Sequence, residues 1–504
     1  MKIQVLIELV RMALKNLTRH RVKTIITIAA VAISVGLYIF IDGWLAGMNI
    51  ESQRNIVAFE TGAAKLQTKE YYEIKDELPM YESFSHWEPI AEVLEQNGYA
   101  VAPRFVFNGT LFSSSGSAPI VFYAIDPERE SSVLRYPNYI DLGRFPNKGS
   151  FEIVLGYMAA EKLRIGIPRI LSPERLEEDL LSLAITKEEE NKIRGLYRLS
   201  ENSDEKRFIL RSDAKKDDLQ FLWNRLFEAG QMRVRIATVI DIKTETGAIR
   251  HINQIIDVQV VGVINCPNPQ LNANVACIPL DVLQDEAGMM LQGHITELII
   301  RSKNTRDDRL PGPQEHPEQI QSCLLKGIEQ KGLPIPSNLV VYGWKSYVSD
   351  YIAVSTGDNI SNRIIIILLF IISFIGISNT MLMAVLERTK ETGMLRSLGM
   401  IDSEILLVYI IEASLIGFLG SCFGIVLGCL INIPMVLYGI DYSAMVREME
   451  GDFGYRIVGL FRSTWNWPVI FGIGPVATSI SGLGALFPTI RALKLPVTDS
   501  LRFE

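Results

Sequence analysis

Glu387–Met400 reads ERTKETGMLRSLGM and lies between two long apolar runs, Ile364–Leu386 and Ile405–Tyr438. Its charges alternate in sign while Met394, Leu395 and Leu398 recur at helical spacing, which predicts a short polar helix. Gly399 offers a C-terminal stop, and Asp402 or Ser403 can cap the helix that follows. A polar helix pinned between two apolar spans is a stiff lever, because whatever grips it moves both spans. On spacing alone, a solvated turn that keeps charge out of a bilayer stays open as the simpler reading.

Outward from this stretch, both neighbours are long enough to cross a bilayer. Ile364–Leu386 carries Gly376, Ser378 and Asn379 as a small, polar face. Ile405–Tyr438 is too long for one straight crossing and predicts a tilt, or a break near Pro434. Gly417, Gly420, Gly424 and Gly428 stripe one side of it, allowing another helix to approach closely. Glu412 is the sole acid within that span; a helix–helix hydrogen bond or snorkelling is the simpler account, a functional polar contact the sharper one. Val469–Pro488 supplies a further span. Thr24–Trp44 supplies the first, uncharged until Asp42, with Ala29, Ala32 and Gly36 as its small stripe.

Met1–Lys23 holds six Lys or Arg against Glu8 alone, with apolar residues at helical spacing. This predicts an amphipathic helix on anionic cytoplasmic headgroups, hence an N-terminus inside. No small-x-small cleavage site follows the first span, and Met48 stands where a lipoprotein signal would need cysteine, so an uncleaved anchor is expected.

From Ala46 to Asn359 no run of about 18 apolar residues occurs, which predicts one long segment outside the membrane. Strand-like alternation marks Ala63–Gln67, Val101–Phe107, Thr110–Phe112, Ile120–Ile125, Val234–Ile242, Gln254–Asn265 and Ala273–Ile278, with a helix over His86–Asn97. Ser172–Asp218 is dense in charge and reads as helices, capped by Ser172-Pro173, with a linker around Ser200–Arg207 and more helix over Leu219–Ala229. Tyr342–Thr356 reads as a helix returning to the membrane. Cys266 and Cys277 flank a loop and could bridge a hairpin in an oxidising compartment; two unpaired thiols are the alternative.

Composition agrees with a few spans plus a large water-soluble part: 48% of the 504 residues are hydrophobic and 21% charged, with mean hydropathy +0.19. The net charge of −7 argues against a nucleic-acid partner. The five cysteines form no CxxC pair, and His20, His86, His251, His294 and His316 have no partner at ligand spacing, so no metal site is expected. No Gly-x-x-x-x-Gly-Lys-Ser/Thr loop occurs, so this chain should not hydrolyse ATP. No nucleophile–base or paired-acid constellation is legible either, and a non-catalytic chain is expected.

Glu387–Met400 resembles the signature E-R-x-x-E-I-G-x-x-R-A-L-G of the MacB/FtsX-type permeases of ABC transporters. The match falls on Glu387, Arg388, Glu391, Gly393, Arg396, Leu398 and Gly399, with Thr392 for the usual isoleucine and Ser397 for alanine. The resemblance implies that this is a coupling helix docked on a separate ABC ATPase dimer, which binds the ATP and Mg, leaving this chain without a cofactor. It implies mechanotransmission: ATP-driven motion tilts the first two spans and moves the outer domain. Four spans cannot enclose a wide conduit, and the small stripes suit helix pairing, so a second permease copy or a paralogue is expected. Val260–Ile264 and Ile278-Pro279-Leu280 resemble the periplasmic core domain of the same permeases, and Pro488, Ala492, Pro496, Val497, Ser500, Leu501 and Arg502 resemble their tail. The likeness fades over Pro168–Ala229.

The expected fold is therefore an α-helical membrane protein with four transmembrane helices and a large α/β extracytoplasmic domain inserted between the first and second. Its parts are an amphipathic helix (1–23), a first span (24–45), a MacB-like core domain (46–359) with a charged helical insertion (168–230), a second span (360–386), the coupling helix (387–404), a third span (405–438), an outer loop (439–466), a fourth span (467–490) and a cytoplasmic tail (491–504). The expected place is a bacterial inner membrane, with lipids as partners. Gly43–Asn49 and Thr61–Gln67 look more like the lipoprotein-releasing, LolC/LolE-like branch than the fused efflux branch, which implies an acylated protein as substrate. Its acyl chains would meet Tyr38, Phe40, Ile41 and Ile360–Ile367. Efflux of peptides or amphiphilic drugs, and FtsX-like regulation of an outside hydrolase, are the alternatives.

Overall fold

The computed structural model describes residues 3–19, 21–168, 170–183, 185–199, 207–211, 213–243, 249–286, 289–305, 309–332, 338–441, 460–494 and 496. They form two compact units. The helical unit contains α1 (Ile3–Arg19), α2 (Arg21–Asn55), α3 (Ser349–Glu387), α4 (Thr389–Ser397), α5 (Asp402–Leu437) and α6 (Trp467–Leu493), with α2 and α3 each running a short way into the second unit. Four of these, α2, α3, α5 and α6, are long and apolar enough to cross a membrane.

Both α2 and α3 outrun their apolar cores. No breaker follows Trp44, so α2 continues to Asn55 and through a π-helical turn, Ile56–Thr61, until Gly62 stops it at φ +65°. Likewise α3 starts at Ser349, before the expected 360. Pro434 lies in the last turn of α5 and leaves that helix unbroken to Leu437, so of the expected tilt or break the break does not occur.

The small residues are spent inside the unit. A Cβ added at Gly420 would sit 2.7 Å from Val31 Cβ, at Gly424 2.7 Å from the Ala32 carbonyl, and at Gly428 2.9 Å from the Gly36 carbonyl. Gly417 faces α6 instead, where a Cβ would lie 2.3 Å from Ser481 Oγ. Ala32 and Gly36 therefore meet the glycines of α5, and apart from the exposed Ala29 the stripes that suggested pairing with another chain are occupied by this one. Gly43 and Gly47 are consumed similarly, against the backbone of Arg462–Thr464.

A polar seam joins α2 to α3. Thr27 donates to Thr380 at 3.1 Å, Ser373 to Ser34 at 3.0 Å, Asn362 to Asp42 at 3.2 Å and Ser355 to Asn49 at 2.7 Å. On α2 these residues recur every seven or eight positions, the spacing that keeps one line of a helix facing a neighbour. The opposite sides, with Ile25, Ile26, Ile33 and Leu37 on α2 and Ile364, Ile367, Ile371 and Ile375 on α3, are exposed and apolar.

The second unit, within Ser52–Asp350, is built on a ten-stranded mixed sheet. Its strands are β1 (Ala64–Thr68), β2 (Tyr99–Ser113), β3 (Gly116–Ile125), β4 (Ile140–Gly143), β5 (Glu152–Gly156), β6 (Arg233–Lys243), β7 (Ile249–Ile264), β8 (Val275–Pro279), β9 (Glu297–Ser302) and β10 (Leu339–Gly343). They pair in the order β10-β1-β9-β2-β3-β8-β5-β7-β4, with β6 across β7 and β2. Period-two alternation sends Leu66, Phe107 and Phe122 into one apolar layer with Ile90 and Leu94 of the helix Trp87–Gln96. Ala102, Ile125 and Ile299 enter the layer on the other face with Val133.

Several expectations change here. Tyr342 belongs to β10, and α3 begins only at Ser349. The strand expected from Ala273 starts at Val275, because Asn268 caps a short helix, Pro269–Asn274. The segment 168–230 contains the helices Pro173–Ser182, Lys187–Gly195 and Lys216–Glu228, with Ser172 Oγ accepting from the Arg175 amide. It also holds a small sheet of Ile170–Leu171, Phe208–Leu210 and Tyr197–Leu199, whose strands are too short to show a period in sequence. Cys266 and Cys277 are both free and buried. The hairpin they were to bridge does not form, since β5 lies between β7 and β8 in the sheet. Each sulfur has its own neighbour, the Asn268 carbonyl for Cys266 and the Tyr136 hydroxyl for Cys277. The linker expected around residue 200, most of the outer loop and the tail residues Val497–Arg502 lie outside the described residues.

Candidate functional site

The stretch Glu387–Met400 is a helix hinged at both ends. At Arg388 the helical path breaks for one residue (φ −106°, ψ 13°) before α4 begins. At its far end Gly399 adopts φ +99°, its amide bonding the Arg396 carbonyl and the Met400 amide bonding the Leu395 carbonyl. That pair of bonds closes the helix and requires a left-handed residue, which explains glycine there. Asp402 does not cap α5; it pairs with Arg396 at 2.9 Å, and the Ile401 amide donates to Glu404 instead.

Of the charged residues of this stretch, all but Lys390 are paired within the protein. Arg388 is buried, 3.3 Å from Glu412 of α5, and not on the polar surface that its charge suggested. Glu391 pairs with Arg19 of α1 at 2.6 Å, and Glu387 with Lys23 of α2. Thr389 and Gly393 are buried with Arg388 on the inner side. Thr392, where the signature has isoleucine, lies 3.3 Å from the Tyr409 hydroxyl, a contact isoleucine could not make. What points outward is Lys390, Met394, Ser397 and Leu398, at i, i+4, i+7 and i+8, continued by Ile401. Leu398 is 85% exposed, which makes it the most prominent apolar side chain of the segment. The outward surface is thus an apolar ridge with one lysine.

In the sheet unit, sequence reading missed a buried charge cluster. Lys65 and Gln67 alternate with Ala64 and Leu66 along β1, so they share the face opposite the larger apolar layer. Lys65 Nζ donates to both oxygens of Glu297, at 3.0 and 2.8 Å, and Gln67 donates to the same carboxylate at 3.1 Å. Behind them Arg104, wholly buried, pairs with Glu130 and lies 3.4 Å from Glu297, while Tyr136 donates to Glu130 at 2.7 Å. Burial lowers the Lys65 pKa against the pull of Glu297. Burial also opposes the charge of Arg104, yet Glu130, Tyr136 and Glu297 keep its pKa above the ordinary arginine value. The cluster borders a cavity of about 330 Å³ whose wall includes Glu60, Tyr71, Tyr123 and Tyr347. The detectable signal was a lysine and a glutamine at alternate positions of an otherwise buried strand. Among the described residues no group of three His, Cys, Asp or Glu could hold a metal ion.

Four apolar helices, with a short outward-ridged helix between the second and third of them, fit a multi-pass membrane protein. Residues 363–497, from α3 through α6, match the family described as FtsX-like permease C-terminal. Similar proteins include an uncharacterized ABC transporter permease of Methanocaldococcus jannaschii, 29% identical over 134 residues, 27% of this chain and 30% of that protein. The lipoprotein-releasing system transmembrane protein LolC of Xylella fastidiosa is 27% identical over 143 residues, 27% of this chain and 34% of its own length. The macrolide export ATP-binding/permease protein MacB of Bdellovibrio bacteriovorus is 28% identical over 141 residues, 27% and 18% of the two. Residues 363–497 thus carry an FtsX-like permease domain, similar to stretches of LolC and MacB. The matches span about a third or less of these relatives' lengths.

Proposed function

We propose that this chain is the non-catalytic permease subunit of an ABC transporter, driven by a separate ATPase dimer that holds the ATP and Mg. The observation that carries this reading is the geometry of α4. It continues into α3 across a one-residue break and into α5 across the Gly399 turn, and it presents Met394, Leu398 and Ile401 outward. A push on that ridge is a push on both helices. Docking is through the apolar ridge and Lys390; the signature's charges hold α4 in place. In this arrangement α1 and α4 are cytoplasmic and the sheet unit is outside. The small stripes of α2 and α5 no longer argue for a second permease copy, but α3 does: Gly376 has nothing within 4 Å of an added Cβ, and Asn379 is exposed within an apolar helix. A lone amide facing lipid is costly and is relieved by a second permease.

The substrate reading is an acylated protein drawn from the outer side of the inner membrane. It is supported by the relative named for lipoprotein release and by Ile360, Ile364 and Ile367, exposed along α3 on the side away from the polar seam. Each buried methylene is worth about 0.8 kcal/mol, so withdrawing several acyl chains needs driven work. Export of amphiphilic drugs is the second reading, favoured by the relative named for macrolide export. Reconstitution of the permease and its ATPase in liposomes holding a triacylated lipoprotein separates the two. ATP-dependent transfer of lipoprotein to a soluble acceptor is expected; drug or peptide export without it would overturn the lipoprotein reading.

A further inference from the structure

Glu412 is 5% exposed within α5 and serves two other elements at once. Its Oε2 accepts from Asn16 Nδ2 of α1 at 3.1 Å and lies 3.3 Å from Nη1 of Arg388. Arg388 Nη2 in turn donates to the Asn16 carbonyl at 3.4 Å, so three residues from α1, the hinge before α4, and α5 close a ring. Snorkelling does not describe this acid: it is buried and engaged on both sides. Flanking the ring, Arg19 at the end of α1 pairs with Glu391, and Lys23 at the start of α2 with Glu387. Part of the apolar side of α1 is occupied as well, with Leu9 and Ala13 packed on Val408 of α5, while Ile7 and Leu14 stay exposed.

We propose that α1 is a second arm of the coupling apparatus, and that Glu412 is the positioning residue that clamps it to the Arg388 hinge. Motion imposed on α4 then reaches α5 and α1 through the ring, in addition to the two covalent hinges. The ring dominates because it is buried: breaking a buried ion pair strands a charge, whereas half-exposed pairs such as Arg19–Glu391 contribute little each. An amphipathic helix that only rested on headgroups would need neither Asn16 nor the acid beneath it. This inference rests on α4 being the coupling helix, and its test is arranged so that the two fail separately.

The test uses the full-length chain in nanodiscs, spin-labelled at the exposed positions 11 and 390. Wild type should give one narrow distance distribution. Glu412→Gln, which removes the charge and keeps an acceptor, should broaden it, and Glu412→Asp should restore most of the narrow population. Arg19→Glu and Glu391→Arg should each broaden it slightly, with partial recovery when combined. In the complex with the ATPase, Glu412→Gln should lower the maximal ATP-driven rate about tenfold with the KM for ATP unchanged. A narrow, unshifted distribution in Glu412→Gln would overturn the clamp, as would broadening by the Arg19 or Glu391 variants as large as that by Glu412→Gln. If wild type binds no ATPase, the coupling reading fails while the distances still decide whether the clamp exists.

Discussion

Arg104 and Glu130 are both fully inaccessible to solvent, and their pairing sets the sharpest expectation at the residue scale. Glu130→Ala strands a buried guanidinium and should destabilise the sheet unit by roughly 3–5 kcal/mol, read from unfolding of the full-length chain in detergent. A loss below about 1 kcal/mol would mean that the pair is not buried as described. The two thiols give a pH prediction. Burial pushes Cys266 and Cys277 up to about 12 from the ordinary 9.0, so the reactive thiolate forms only well above neutral pH. At pH 8 each should alkylate roughly a thousandfold more slowly than an exposed thiol, with the rate rising toward pH 12, and denaturation should make both titrate at once. Recovery of a 266–277 disulfide would contradict this. At this scale the sequence discloses charge but not burial. Glu391 and Arg388 look alike in ERTKETGM, yet one is half-exposed and the other sealed against Glu412. Only the long-range contact with α5 distinguishes them.

At the scale of elements, the glycines of α5 divide by what they meet. Gly424→Leu pushes a side chain into the Ala32 carbonyl and Val35, and should cost about 1–3 kcal/mol or more as α2 is displaced. Gly376→Ala meets nothing within 4 Å among the described residues and should leave the monomer as stable as wild type. Thermal unfolding in detergent ranks them, and equal losses would refute the assigned packing. Long elements with a strong period were legible: Thr24–Trp44 and Val101–Phe107 fall inside an observed helix and strand, and Ile405–Tyr438 overruns its helix, which ends at Leu437, by one residue. Others were not. β4 and β5 have four and five residues, too few to show a period, and β5 enters the sheet parallel to β7 and antiparallel to β8. No local pattern announces such a crossing, and the hairpin imagined around Cys266 failed for that reason. The helix ends were also hidden, because polar residues past the apolar core, such as Asn49 and Ser52, still propagate a helix until Gly62 interrupts it.

At the scale of the whole molecule, an FtsX-like permease domain and a large mixed sheet share one chain. The sheet unit and α4 are expected on opposite sides of the membrane. With the native thiols removed, Ser131→Cys should react with an impermeant reagent added from outside intact cells, and Ser397→Cys only after permeabilisation. The reverse pattern would reverse the topology. The central claim, that a separate ATPase grips the apolar ridge of α4, is tested most directly by pull-down of the native complex from membranes carrying Met394→Glu with Leu398→Glu. Both side chains face outward, so the chain should still insert and fold. The ATPase should be lost from the purified complex, and ATP-driven activity should go with it. An ATPase that co-purifies in unchanged amount and activity would contradict the claim.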